Sequence, residues 1–258
     1  MSEPEPPARP ETRTSGRSSP HGRTSAMGRF YIVLAVVALL GVGAVGYNVT
    51  WGRTGQAASV PLDLAVLDDP DSLVAMARGV TKGDPNAAVT VLEFGDYQCP
   101  GCGQFARDFK PAVELALVET GRAKFVFHDY PLVNIHPHAF VAARAARCAE
   151  DQERFWEYHD HLYREQARWT VQEDPLATFE GYAEELGLDA GDFRACLNSD
   201  RHADVVTANL RLAEAVGVPR TPTILVNVAG RGTRESSGWD AAAIIATIEL
   251  LEATPPAN

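Results

Sequence analysis

Cysteine is scarce in this chain. There are four in 258 residues: Cys99, Cys102, Cys148 and Cys196. Four allow three pairings, and spacing alone does not choose among them. Histidine is sparse too, with seven. No His-x3–5-His occurs, and His136/His138 and His159/His161 are each two apart, so each pair falls on different faces of a helix. Without further ligands at suitable spacing, a zinc site is not expected, and nothing in the pattern calls for a cofactor. Basic residues are also in deficit: 23 Lys and Arg against 34 Asp and Glu, a net charge of −11. Residues 1–29 hold five Arg against Glu3, Glu5 and Glu11, so residues 30–258 carry −13. An acidic body argues against a nucleic-acid backbone as partner. Internal repeats are absent.

One stretch lacks charge altogether. "FYIVLAVVALLGVGAVGY", Phe30 to Tyr47, is eighteen residues long. As a helix it rises about 27 Å, close to the hydrocarbon thickness of a bilayer. All five N-terminal arginines precede it and only Arg53 follows nearby, which places the N-terminus in the cytoplasm and the rest outside. The stretch is longer than the apolar core of a usual signal peptide. No clear Ala-x-Ala follows; "GQAAS" (Gly55–Ser59) is a poor cleavage site. An uncleaved anchor is therefore expected, and with no cysteine just after the span, not a lipid-anchored one. A start at Met27 would leave only "MGR" before it. The expected organisation is a disordered cytoplasmic tail (1–29), a single-pass membrane anchor (30–47), a stalk (48–70) and an extracytoplasmic domain (71–258).

Within that domain "AAVTVLEF" (Ala87–Phe94) reads as a strand buried on both faces. Pro100 to Thr120 reads as a helix, with Phe105, Phe109, Val113 and Leu117 recurring every four residues. "AKFVFHDY" (Ala123–Tyr130) is a second strand, completing a βαβ unit. A helical block from about 137 to 216 follows, divided near 170–175, 187–192 and 197–200. "TPTILVNV" (Thr221–Val228), a turn at Ala229–Gly232 and "TRESS" form a hairpin. A last helix starts at Asp240, with Ile244, Ile248 and Leu251 on one face.

The chemistry concentrates in "EFGDYQCPGCGQFARDF", Glu93 to Phe109. Proline is favoured at the first position of a helix, so Pro100 places Cys99 at the N-cap. There the unpaired N–H groups and the positive helix end stabilise a thiolate and lower its pKa. Cys102 lies one turn on, near enough to close a disulfide. Strand, loop, Cys-x-x-Cys and helix are thus in the order a dithiol redox site requires. Glu93 stands in an apolar strand six residues before Cys99. Buried, it would have a raised pKa and serve to move the proton of each exchange step; at the strand end, it would simply reach solvent.

These residues resemble a known family. "VLEFGDYQCPGCGQF", "KFVFHDYPL", "AARAARCAEDQERFWEYHDHLY" and "GVPRTPTILVN" look like successive segments of DsbA-like thiol:disulfide oxidoreductases of the thioredoxin superfamily, above all the membrane-anchored branch of Gram-positive bacteria and actinobacteria. The likeness covers roughly Gly83 to Ala253. It implies an α/β thioredoxin fold with a helical insertion. By match to the motif, Cys99 is the attacking cysteine, Cys102 the resolving one and Glu93 the buried acid. Pro222 falls on the family's cis-proline, ahead of Pro219, with Thr221 before it, in a loop that pairs with an extended substrate chain. The dipeptide Pro100-Gly101 departs from the strongly oxidising members, which have a histidine where Gly101 stands. Outside the membrane the leftover Cys148 and Cys196 most simply pair, and the family branch supports such a structural bond, worth about 4 kcal/mol on a chain-entropy account.

The activity this implies is a disulfide oxidase. Its partners would be reduced, partly unfolded secreted proteins and a membrane quinone-linked oxidase that reoxidises it. Two alternatives stand beside it: a reductase or isomerase on the same fold, and a non-enzymatic chaperone or binding module.

Overall fold

The computed structural model describes residues 57–255. The expected tail (1–29), the expected anchor (30–47) and the first part of the expected stalk lie outside the described residues. Among the described residues no helix is long and apolar enough to cross a membrane.

Five strands form one sheet in the order β1-β3-β2-β4-β5: β1 Val80–Lys82, β2 Val89–Gly95, β3 Ala123–Asp129, β4 Thr223–Val228 and β5 Gly232–Glu235. The central strands β2 and β3 are parallel, and β1, β4 and β5 join antiparallel. β2 and β3 read as apolar runs because both faces of the sheet are covered. Val89 and Val91 face a core shared with Val113, Leu117, Ile244 and Ile248, whereas Phe94 packs with Ala213 and Val218. Side chains alternate along a strand, so Glu93 shares the face of Val89 and Val91. β1 escapes the sequence pattern: at three residues it is too short to show a period.

The helices are α1 Pro70–Met76, α2 (residues 100–118), α3 Ala139–Glu150, α4 Phe155–Arg164, α5 Gln166–Trp169, α6 Leu176–Glu185, α7 Ala190–Leu197, α8 Ala203–Ala215 and α9 Ala241–Ala253. α9 begins where expected; the Asp240 carboxylate accepts from the Ala243 N–H at 3.0 Å. α2 is less regular than expected. It widens into π-type turns at Phe105–Phe109 and Glu114–Val118, with Lys110 N–H reaching Phe105 O and Glu119 N–H reaching Glu114 O. Pro111 explains the first widening: it has no N–H to give and its ring needs room in the preceding turn.

Helices α3 to α8 make up the insertion between β3 and β4. The observed divisions fall near those expected, plus one at 151–154, where Glu153 takes φ 59°. α3 is buried from Ala139 to Ala149, its six alanines letting neighbours approach closely. Its two buried arginines are saturated: Arg147 grips the Asp129 carboxylate (2.6 and 2.9 Å), and Arg144 donates to the carbonyls of Ala58, Leu197 and Ser199. Residues 57–70 lie along this insertion, with Leu62 N–H donating to Thr207 Oγ1 at 3.0 Å and Leu67 buried beside Ala208.

Candidate active site

β2 ends at Gly95 and α2 begins at Pro100, and the loop between them sets the site. Cys99 caps α2 with extended backbone (φ −70°, ψ 123°), so its sulfur meets the unpaired N–H groups of the first turn. Both thiols are free. Cys99 retains 9% exposure and Cys102 none, so only Cys99 can be reached from outside.

The cis peptide Thr221–Pro222 lies opposite. The Cys99 thiol donates to the Thr221 backbone carbonyl at 3.4 Å, and the buried Thr221 hydroxyl has no partner of its own, leaving it to donate once the sulfur is a thiolate. A Cβ on Gly101 would stand 3.2 Å from Pro222 Cδ, 3.5 Å from the Trp239 indole and 3.8 Å from Cys99 Sγ. Glycine at 101 therefore leaves the Pro222 ring and Trp239 in contact distance of the dipeptide, and Phe109 packs edge-on against that indole at 6.1 Å.

The two sulfurs are held very unequally. The Cys99 pKa is brought down to about 5, chiefly by its hydrogen bond with the Cys102 thiol. Burial opposes this; Thr221 and the N–H groups of Cys102 and Gly101 assist. Burial pushes Cys102 well above the usual thiol range, Cys99 and Glu93 push it further, and the Asp96 N–H, 3.4 Å from its sulfur, offsets part.

Glu93 is fully buried, and neither carboxyl oxygen has a hydrogen-bond partner. Burial raises its pKa to about 8; Lys110 opposes, Asp160 and Cys99 add. It does not reach solvent at the strand end. Lys110 lies in the same layer, 2% exposed and 2.8 Å from both Asp160 and Glu114. Burial draws Lys110 down, but those two carboxylates outweigh it and hold it above the ordinary lysine range.

Several residues of the site carry no signal in the sequence. The buried Asp96 carboxylate accepts from Gln98 N–H (2.7 Å), Leu132 N–H (2.8 Å) and His136 Nδ1 (2.7 Å), while its own carbonyl accepts from Cys99 N–H. The hydrogen bond to Asp96 raises the His136 pKa, against burial. Gln166, from α5, donates to the carbonyls of Tyr97 and Cys99, both at 2.8 Å. The loop is thus clamped from the β3–α3 connection and from the insertion.

The structure brings Cys99, Pro100, Gly101, Cys102, Glu93, Thr221 and Pro222 into one group. Cys148 and Cys196 stand apart from it, joined in a disulfide between α3 and α7 with Cα atoms 5.8 Å apart. Among the described residues one cluster has metal-ligand types, Cys148, Cys196 and His202, and both its sulfurs are already bonded to each other.

A family profile described as Thioredoxin matches residues 76–242. Among curated proteins, 187 residues are 37% identical to part of the Na(+)/H(+) antiporter NhaA 1 of Salinispora arenicola, covering 72% of this chain and 26% of that protein. The Na(+)/H(+) antiporter NhaA 3 of Salinispora tropica is 36% identical over 189 residues, with the same shares covered. The chain spans about a quarter of the length of these relatives. Among solved structures, oxidised BdbD from Bacillus subtilis superposes with a TM-score of 0.58 at 26% identity, over 66% of this chain and 91% of that one. The reduced disulfide bond oxidoreductase DsbG from Mycobacterium tuberculosis gives 0.54 at 26% identity, over 71% and 93%. The alpha-DsbA1 protein of Wolbachia pipientis, at 20% identity and a TM-score of 0.58, shares the fold over 67% and 90%.

Proposed function

This chain belongs to the thioredoxin family in its DsbA-like branch, and from that premise we propose that it is an extracytoplasmic disulfide oxidase, donating the Cys99–Cys102 disulfide to secreted chains. The observation that carries this reading is the inequality of the two thiols, Cys99 at about 5 and Cys102 well above the usual range. A sulfur content as a thiolate stabilises the reduced pair, so the oxidised pair gives up its disulfide readily.

The reaction starts when a substrate thiolate attacks Cys99 Sγ of the oxidised pair. The Cys99–Cys102 bond breaks, its electrons go to Cys102, and that sulfur takes a proton. Glu93, protonated up to about pH 8, is the buried group able to supply it. A second substrate thiolate then attacks the substrate sulfur of the mixed disulfide and expels Cys99 as thiolate. Two electrons pass from substrate to enzyme. One substrate proton is balanced on Cys102 by way of Glu93, and the other enters solvent. The Thr221 backbone, beside Cys99, holds the substrate chain in extended form during these steps.

A membrane quinone-linked oxidase then withdraws the two electrons, and the apolar segment 30–47 keeps the domain beside it. The relatives named as Na(+)/H(+) antiporters support this placement, since in them a stretch like this one is part of a membrane transporter.

The test is the glutathione equilibrium of Cys99–Cys102 in the full chain. A reduction potential of about −120 mV supports the oxidase; about −270 mV overturns it in favour of a reductase. Reductase or isomerase is the second reading, and Gly101 favours it, because the strongly oxidising members hold their thiolate with a histidine at that place.

A further inference from the structure

A groove of about 470 Å³ opens beside the redox pair. Gln98 and Pro100, the residues on either side of Cys99, form part of its wall. Arg107 from α2, with Arg164, Gln166, Ala167 and Thr170 from the insertion, forms the rest. A chain lying in it therefore passes next to the attacking cysteine.

Its charge runs against that of the molecule. Residues 30–258 carry −13, and most arginines of the domain face a carboxylate: Arg147, Arg154, Arg194, Arg201 and Arg220 all do. Six arginines among the described residues do not, and two of the six, Arg107 and Arg164, line this groove. Among the described residues neither is in an ion pair; Arg107 donates to Tyr163 O at 2.7 Å and Arg164 to His161 Nδ1 at 3.3 Å. Both side chains are exposed. The neighbouring carboxylate of Glu165 lies toward Arg168 instead, at 4.0 Å, and Asp108 is exposed on α2. Each guanidinium has donors to spare and the planar fork that suits a carboxylate, and bound carboxylates would repair the pairing these arginines lack. Gln98 and Thr170 add polar atoms beside the arginines, and Pro100 and Ala167 add an apolar strip.

We propose that this groove selects substrate chains that carry Asp or Glu within a few residues of the reacting cysteine. The inference rests on thiol:disulfide exchange at Cys99, the reading given above. Free in solution, a reduced chain with an acidic flank is drawn toward the two arginines, which orients its cysteine on Cys99. The preference is one of encounter and binding, so it appears in the second-order rate constant and fades as salt screens the charges.

The experiment uses the oxidised full chain and dithiol peptides identical except for the residues flanking one cysteine, which are Asp, Ser or Lys. Disulfide formation in the peptide is followed after acid quenching. At low ionic strength the Asp peptide is expected to react about five-fold faster than the Ser peptide, and the Lys peptide slower by a similar factor. The spread should shrink in high salt. Arg164→Gln should narrow the spread and Arg164→Glu reverse its order. The peptide series on the unaltered chain needs no variant to fold. Exchange at one rate with all peptides overturns the groove's role and leaves the oxidase reading intact. No exchange with any peptide overturns both.

Discussion

Two cysteine pairs share this domain, and they differ in every respect that governs reactivity. Cys99 and Cys102 lie at the start of α2, on a loop with free N–H groups, an orphaned carboxyl beneath and one sulfur partly exposed. Cys148 and Cys196 sit between α3 and α7, 1% and 2% exposed, bonded across a separation of 48 residues. The first pair closes a short loop and has surroundings that favour a thiolate. The second closes a long loop and has surroundings that exclude a reagent. The lesson is that the neighbours, more than the sulfurs, divide a redox centre from a staple.

The largest expected effect breaks that division at its reactive side. Cys99→Ser should abolish peptide oxidation, a loss of about a thousand-fold or more for removal of a nucleophile, while leaving thermal stability close to that of the reduced protein. Cys102→Ser should instead trap mixed disulfides with secreted chains on Cys99, seen as bands on a non-reducing gel. Breaking the other side should do the reverse. Replacing Cys148 and Cys196 with Ala is expected to cost about 4 kcal/mol in denaturant unfolding, while the folded variant keeps its glutathione equilibrium. If that potential moves by about 30 mV or more, a tenfold change in K, the two pairs are coupled and do not act independently.

A smaller effect sharpens the comparison from beneath. The Glu93 pKa is raised from 4.5 to about 8, so the folded state holds its proton where the unfolded chain has lost it. Its ionisation penalty is absent below pH 4.5 and grows as pH rises toward 8. Glu93→Gln should therefore stabilise the reduced protein by on the order of 3 kcal/mol at pH 7 relative to pH 4, while slowing proton-coupled exchange. An equal gain at both pH values would count against a buried, protonated carboxyl.

The smallest effect concerns the clamp on the loop. His136 has its folded pKa raised by Asp96, so its contribution is present in full below the unfolded value of 6.5 and is lost as pH rises through the folded one. His136→Asn should cost about 1 kcal/mol at pH 6 and less at pH 9, measured by urea unfolding.

Much of this was legible in the sequence, for reasons that are local. Pro100 announces a helix start, and an unbroken β-branched run announces a strand covered on both faces. The hairpin turn and the Asp240 cap are also short-range chemistry. What escaped is long-range. Gln166 holds the Cys99 carbonyl from 67 residues away, and His136 meets Asp96 from 40. Trp239, in the loop between β5 and α9, stands 3.5 Å from where a Cβ on Gly101 would lie. No periodicity carries such meetings, since they depend on how the insertion folds back over the loop. The widening of α2 was hidden for a different reason: Phe105, Phe109, Val113 and Leu117 keep an every-four rhythm that suits a regular helix equally well.

That widening makes the length of α2 a quantity on which the site depends. Each residue turns a helix by about 100°, so the extra residue accommodated at Phe105–Phe109 sets the angle between the cysteine end and Lys110. Removing one residue there would close the widened turn into a regular one, and removing a second would turn Lys110 by about 100° away from the layer that holds Glu93. Substitution leaves this dimension untouched. A change in the number of residues acts on it directly.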